Sequence, residues 1–107
     1  MYTRNFLKKD SVYDLTSQIP EGKVSTYGHL AKSLKQPNAA RAIGKILNKN
    51  PIPIIIPCHR VVYANGTIGG YNKGINEKIK LLSDEGIVIV NGKIINFNKI
   101  LFNDFKH

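Results

Sequence analysis

The chain has 107 residues, with 16 Lys and Arg against 7 Asp and Glu, a formal net charge of +9, and 42% apolar residues. That suits one small folded domain and leaves no length for a second core, while a single cysteine excludes an internal disulfide and a cysteine-rich zinc site. No stretch approaches the ~18 apolar residues of a membrane span, Met1–Asp10 lacks the apolar run of a signal peptide, and the positive excess points to a polyanionic partner.

In chain order, Ser11 with Asp14 three residues on reads as the cap of a first helix. Phe6, Val12, Leu15 and Ile19 form its apolar stripe, and Pro20 and Gly22 end it. Ser25 or Thr26 caps a second, short helix running through Leu34, with Leu30, Ala31 and Leu34 inward. Lys35-Gln36-Pro37 makes a tight break, and Asn38 caps a third helix over Ala39 to Lys49 with Ile43, Ile46 and Leu47 apolar. Two short helices about a tight turn read as helix-turn-helix, and equally as any αα-hairpin. Asn50 to Pro57 carries three prolines among isoleucines, so it is expected to run extended and buried, held rigid to present Cys58-His59-Arg60. Asn65-Gly66 is a turn and Gly69 to Gly74 a flexible loop. Asn76 caps a last helix with Ile79 and Leu82 inward and Gly86 as its stop. Ile87–Val90 and Lys93–Phe97, joined by Asn91-Gly92, form a β-hairpin that serves as a wing or packs the rear of the domain. Ile100, Leu101, Phe102 and Phe105 are tail packing. The expected fold class is mainly α with a small β-hairpin, a winged-helix-like domain over residues 1–107.

The charge is uneven. From Gly22 to Asn76 there is no Asp or Glu in 55 residues, while Lys23, Lys32, Lys35, Arg41, Lys45, Lys49, Arg60 and Lys73 fall inside that span. Such a stretch is the footprint of phosphate contacts, or of a Lys-rich solvated surface.

Cys58 is the chain's only nucleophilic thiol. An unperturbed thiol of pKa about 8.5 is only a few per cent thiolate at neutral pH and needs a base or a positive charge nearby. An isolated Cys is more often buried and inert, and the proline-braced setting is what argues for a nucleophile here. One Cys with His29, His59 and His107 is a poor metal-ligand set, so no metal is expected.

Ile56-Pro57-Cys58-His59-Arg60-Val61-Val62 resembles the active-site signature of the O6-alkylguanine-DNA alkyltransferases, the methylated-DNA–protein-cysteine methyltransferases. The resemblance also covers Ile19-Pro20-Glu21-Gly22, Thr26-Tyr27-Gly28, Ala39 to Gly44, Asn50 to Ile54, Gly69-Gly70-Tyr71 and Leu81 to Gly86. It runs in uninterrupted order over about residues 5–90, leaving 91–107 as hairpin and tail. What it implies is direct reversal of DNA damage on double-stranded DNA containing O6-alkylguanine. The lesion is flipped out through the minor groove, and the alkyl group passes irreversibly to Cys58, one lesion per protein. By this resemblance His59 is the base acting through a water, Glu85 orients it, and Asn50 braces the turn. Tyr27 presses on the phosphate and donates a proton to the leaving guanine. The DNA-facing set is Thr26, Tyr27, Ala40, Arg41, Ala42, Gly44, Lys45 and Arg60, with Arg41 as the wedge that fills the vacated stack. The pocket set is Pro53, Val61, Tyr71 and Asn72, with the Val61 carbonyl meeting the exocyclic amine of the base. The resemblance implies no cofactor, because a thioether is not regenerated, and no membrane partner. It also implies a monomer in the cytoplasm at the nucleoid, or in a nucleus. Fewer than 10 residues precede the first helix, so the expectation is a minimal form without the N-terminal domain of many members. Two rivals remain: an alkyltransferase-like protein that binds and flips the lesion without the cysteine, and a winged-helix transcription regulator reading the major groove.

Overall fold

Two apolar clusters share one short parallel strand pair in the computed structural model, which describes residues 7–107. The chain runs α1 (Lys9–Ser17), β1 (Ser25–Thr26), α2 (Tyr27–Ser33), α3 (Ala40–Asn48), a 3-10 turn (Cys58–Arg60) and β2 (Val61–Val62). It continues through α4 (Ile75–Asp84), β3 (Ile89–Val90), β4 (Lys93–Ile94) and α5 (Phe97–Ile100). β1 pairs with β2 in parallel, Ser25 opposite Val61 and Thr26 opposite Val62. Successive side chains of a strand point to opposite faces. Val61 therefore enters the cluster of Val12, Leu15, Leu30, Ile43 and Leu47, while Val62 enters that of Val24, Ile68, Leu82, Ile87 and Ile94. The first cluster holds the helix-turn-helix of α2 and α3 on α1, and the second holds α4 and the hairpin. The class is the expected one, mainly helical with a small sheet.

Several boundaries differ from the sequence reading, for local reasons. Phe6 lies outside the described residues. Ser11 falls inside α1, which starts at Lys9 with no side-chain cap and places Asp10 in its first turn, where a carboxylate meets the helix dipole. Thr26, and not Ser25, caps α2: its Oγ1 accepts from the His29 amide at 3.0 Å. Lys35 takes φ 61°, the left-handed residue that makes the break after α2. α3 begins one residue late, after Ala39, and has no side-chain cap from Asn38. α4 follows Gly74 at φ 98°, so Asn76 sits within its first turn and caps nothing. Gly86 at φ 89° stops α4, with its amide on the Ser83 carbonyl.

The hairpin turns at Asn91 (φ 51°) and Gly92 (φ 77°), as an Asn-Gly pair favours. Its second strand is shorter than expected. Asn96 at φ 59° breaks the extended run, and Phe97 opens α5 with its ring beneath Gly66. The hairpin packs Ile94 into the second cluster and leaves Val88, Val90 and Ile95 exposed. The tail closes on the residue before β1. Leu101 bridges Val24, the Phe102 amide donates to the Val24 carbonyl at 2.7 Å, and Phe102 and Phe105 pack edge to face.

The segment before Cys58 corrects the expectation of burial. Ile52, Ile54 and Ile55 are exposed, Ile55 at 76%. Prolines deny the segment a strand partner, so it folds on itself instead: the Ile56 amide reaches the Ile52 carbonyl at 3.0 Å and Ile54 takes φ 77°. A β-branched residue there is strained by about 1–3 kcal/mol. The loop is held by Asn50, not by burial.

Candidate active site

Asn50 is buried at the end of α3 and ties both sides of that loop to the thiol. Its Oδ1 accepts from the Ile52 amide at 3.0 Å, and its Nδ2 donates to the Ile56 carbonyl at 2.7 Å and to Cys58 Sγ at 3.3 Å. Cys58 opens the 3-10 turn and is buried. Burial pushes its thiol pKa up, opposed by the Asn50 hydrogen bond and by the charge of Lys78. The resting group is therefore the thiol, which must lose a proton to become a strong nucleophile.

The neighbouring imidazole is suited to take one. His59 is fully buried, with Nε2 2.9 Å from Glu85 Oε2. A carboxylate acceptor fixes the proton on Nε2 and leaves Nδ1 a lone pair. Nδ1 is buried with no protein partner. Burial lowers the His59 pKa more than Glu85 raises it, so the ring is neutral at neutral pH and can act as a base. Glu85 sits at the C-terminal end of α4 and is anchored twice over. Arg60 Nε lies 3.0 Å from its Oε1, and Arg60 Nη2 2.8 Å from its Oε2. Burial alone would raise the Glu85 pKa, but hydrogen bonds from Arg60 and His59 outweigh it and hold the carboxyl ionised.

An open cavity of about 970 Å³ reaches Cys58 between α3 and the loop after β2. Cys58, Tyr27, Ala40, Arg41, Gly44, Lys45, Tyr71 and Asn72 all line it. Small residues at 40 and 44 leave room beside α3, where Gly44 packs against the Tyr27 ring. The Tyr27 pKa is pushed up to about 12, chiefly by burial and then by Tyr63 and Cys58, so its phenol keeps its proton and is able to donate it. Arg41 and Lys45 are exposed on α3. No group of three or more His, Cys, Asp or Glu among the described residues is placed to hold a metal ion.

Four expected placements do not hold. Arg60 faces inward: besides Glu85, its Nη1 donates to the Ile19 carbonyl at 2.8 Å, so it positions the carboxylate and does not face DNA. Thr26 is buried, its hydroxyl spent on the α2 cap and on His29 Nδ1 at 2.6 Å. The Val61 carbonyl accepts from Lys78 Nζ at 2.8 Å, and the residue is fully buried away from the cavity. Pro53 bridges Ile56 within the proline loop and does not line the cavity. Ala42 is exposed on α3 beside Arg41, outside the cavity lining but on the helix that carries the expected DNA-facing residues.

Lys78 is the residue that sequence reasoning missed. It is fully buried, and its Nζ spans the Val61 carbonyl and the Gly70 carbonyl at 2.9 Å. It thus pins the cavity wall at Gly70 to the strand that follows Cys58. Burial lowers its pKa to about 8, with the nearby thiol acting the other way. A helical-wheel signal existed: Lys78, Leu82 and Glu85 fall at i, i+4 and i+7 on one face of α4.

The profile of the family described as "6-O-methylguanine DNA methyltransferase, DNA binding domain" matches residues 8–87. A methylated-DNA–protein-cysteine methyltransferase of Methanosarcina acetivorans is 49% identical over 76 residues, 71% of this chain and 49% of the relative. The Mycobacterium tuberculosis OGT solved in complex with DNA superposes with TM-score 0.71 at 43% identity, covering 77% of this chain and 51% of that one. Atl1 of S. pombe, solved with damaged DNA containing O6-carboxymethylguanine, superposes with TM-score 0.77 at 31% identity, covering 88% of this chain and 93% of that one. The chain spans a third to a half of the length of the curated relatives it matches.

Proposed function

The chain belongs to the family of 6-O-methylguanine DNA methyltransferase DNA-binding domains, and on that premise we propose that it repairs O6-alkylguanine in double-stranded DNA by taking the alkyl group onto Cys58. The observation that carries this reading is the pairing, in one 3-10 turn, of a buried Cys58 held by Asn50 with a neutral His59 held by the Glu85–Arg60 pair and keeping Nδ1 free, the thiol opening into a cavity beside a basic helix. The flipped nucleotide enters between α3 and Tyr71-Asn72, with Arg41 in the vacated stack. His59 takes the Cys58 proton through a water. Sulfur attacks the alkyl carbon, the carbon–O6 bond breaks, and guanine leaves protonated with Tyr27 as donor. The thioether is stable, so each molecule acts once, as a monomer and without a cofactor. No helix among the described residues is long and apolar enough to cross a membrane. We place the protein where the DNA is, in the cytoplasm at the nucleoid or in a nucleus.

Mass spectrometry after mixing with a duplex containing O6-methylguanine tests the reading. Expected is a gain of one methyl mass on Cys58, absent from Cys58→Ala. Atl1 offers a second reading, lesion binding without transfer, because the present chain matches 93% of that protein. Tight binding with no mass gain would select it, and equal affinity for plain and damaged duplex would select a regulator. Arg41→Ala separates extrusion from chemistry. Losing the wedge leaves a few kcal/mol of unstacking uncompensated, so methyl transfer from duplex should slow about 10²-fold. Reaction with free O6-benzylguanine should stay at the wild-type rate, and equal losses on both substrates would remove the wedge role.

A further inference from the structure

We propose that Tyr63 is a positioning residue for Tyr27, a ring set at the mouth of the cavity to hold the Tyr27 phenol in place while duplex DNA is handled. The proposal rests on the alkyl-transfer reading and adds a residue to it.

The placement follows from strand geometry. Tyr63 comes directly after β2 and has the parity of Val61, so it leans to the side of the first cluster. Val61 is buried there, but the core ends one step later, and Tyr63 emerges 52% exposed beside Cys58, Tyr27 and Arg41 on the cavity lining. A half-exposed tyrosine is ordinary when its ring lies on a loose surface. This ring does not. Its centroid is 5.5 Å from that of Tyr27, with the planes at 48°, within the range of favourable aromatic pairs.

The mount behind the ring is rigid. The Tyr63 amide donates to the Thr67 carbonyl at 3.0 Å, and the Tyr63 carbonyl accepts from the Gly66 amide at 3.0 Å. That closed turn is bonded in its turn to the hairpin, where the Ile94 amide reaches the Gly66 carbonyl at 2.9 Å. Gly69 lies under the ring. A Cβ there would stand 3.1 Å from Tyr63 Cε2, and Gly69 has φ +74°, so both space and backbone reserve the position for glycine. On the other side Gly44 of α3 gives room to the Tyr27 ring, its would-be Cβ 3.8 Å from Cε1. Tyr27 is thus held between a glycine of α3 and an aromatic ring backed by a second glycine. Tyr63 adds no hydrogen bond to this among the described residues, so ring contact is the interaction to test.

The experiment measures methyl transfer from O6-methylguanine in duplex DNA across a double-mutant cycle. An aromatic pair of this kind sets an expected loss of about tenfold for Tyr63→Ala. Tyr63→Phe keeps the wild-type rate, because the ring and not the hydroxyl makes the contact. In a Tyr27→Ala background, Tyr63→Ala has no further effect, since the residue it positions is gone. A merely structural role would give the same loss in both backgrounds, and that result overturns the proposal. A wild-type rate for Tyr63→Ala overturns it too. If the unsubstituted protein transfers no methyl group, the alkyl-transfer reading fails first. The same cycle is then read in the ratio of affinities for damaged over plain duplex, where non-additivity between positions 27 and 63 supports positioning and additivity overturns it.

Discussion

Glu85→Ala slows alkyl transfer to Cys58 by about 10²-fold, the scale of a general base that has lost its orientation. Three donors converge on this carboxylate, Nε2 of His59 and Nε and Nη2 of Arg60. With it gone, His59 loses the acceptor that fixes its tautomer, and Nδ1 no longer carries the lone pair reliably. Arg60 is left as a poorly exposed cation whose remaining bond runs to Ile19. Breaking one side of such a pair costs about 3 kcal/mol, a fall in Tm on the order of 15 °C. Glu85→Gln keeps an acceptor oxygen and should fold, yet still slow transfer, because it cannot stabilise the imidazolium formed as the thiol loses its proton. The rate of S-methylcysteine formation at saturating lesion checks this. A wild-type rate in a folded Glu85→Gln protein would remove Glu85 from the proton path.

Lys78→Met weakens both stability and chemistry, and pH separates the two. The substitution strands the carbonyls of Val61 and Gly70, each of which accepts from the ammonium group. It also takes a positive charge from beside the thiol, so the Cys58 pKa rises further and transfer at neutral pH slows about tenfold. The native pKa of Lys78 is lowered to about 8 from 10.5. Between those values the unfolded chain holds a proton that the native side chain has released. The wild-type protein therefore gains unfolding free energy over the variant as pH rises through that window, by about 3 kcal/mol in total. Below pH 8 both states carry the proton and the difference is flat. Urea unfolding of both proteins at pH 7 and pH 10 measures it, and a gap that stays constant would mean that Lys78 titrates as a solvated lysine.

Local chemistry made much of this protein readable. Thr26 as a cap, Gly86 as a stop and Asn91-Gly92 as a turn each act through their own backbone and near neighbours, and the structure keeps all three. Asn38 and Asn76 carried the same kind of signal and failed, because Ala39 and Gly74 opened the helices without them. The isoleucines of the proline loop misled for a related reason. Apolar composition implies burial only when the backbone can be paired inside, and here Asn50 satisfies the loop at the surface.

From the sequence alone come the single thiol beside an imidazole, the acid-free basic span, the small residues of α3 and the family motif. Each is a property of residue identity and short spacing. Only the tertiary structure decides that Arg60 turns inward to Glu85, that the Val61 carbonyl is taken by Lys78, and that Tyr27 rests against Tyr63. These pairs join residues 25, 17 and 36 positions apart, on elements whose relative placement is set by two cores meeting at one strand pair. No local periodicity encodes those distances. They follow from packing, which also sets the pKa values on which the chemistry of the site rests.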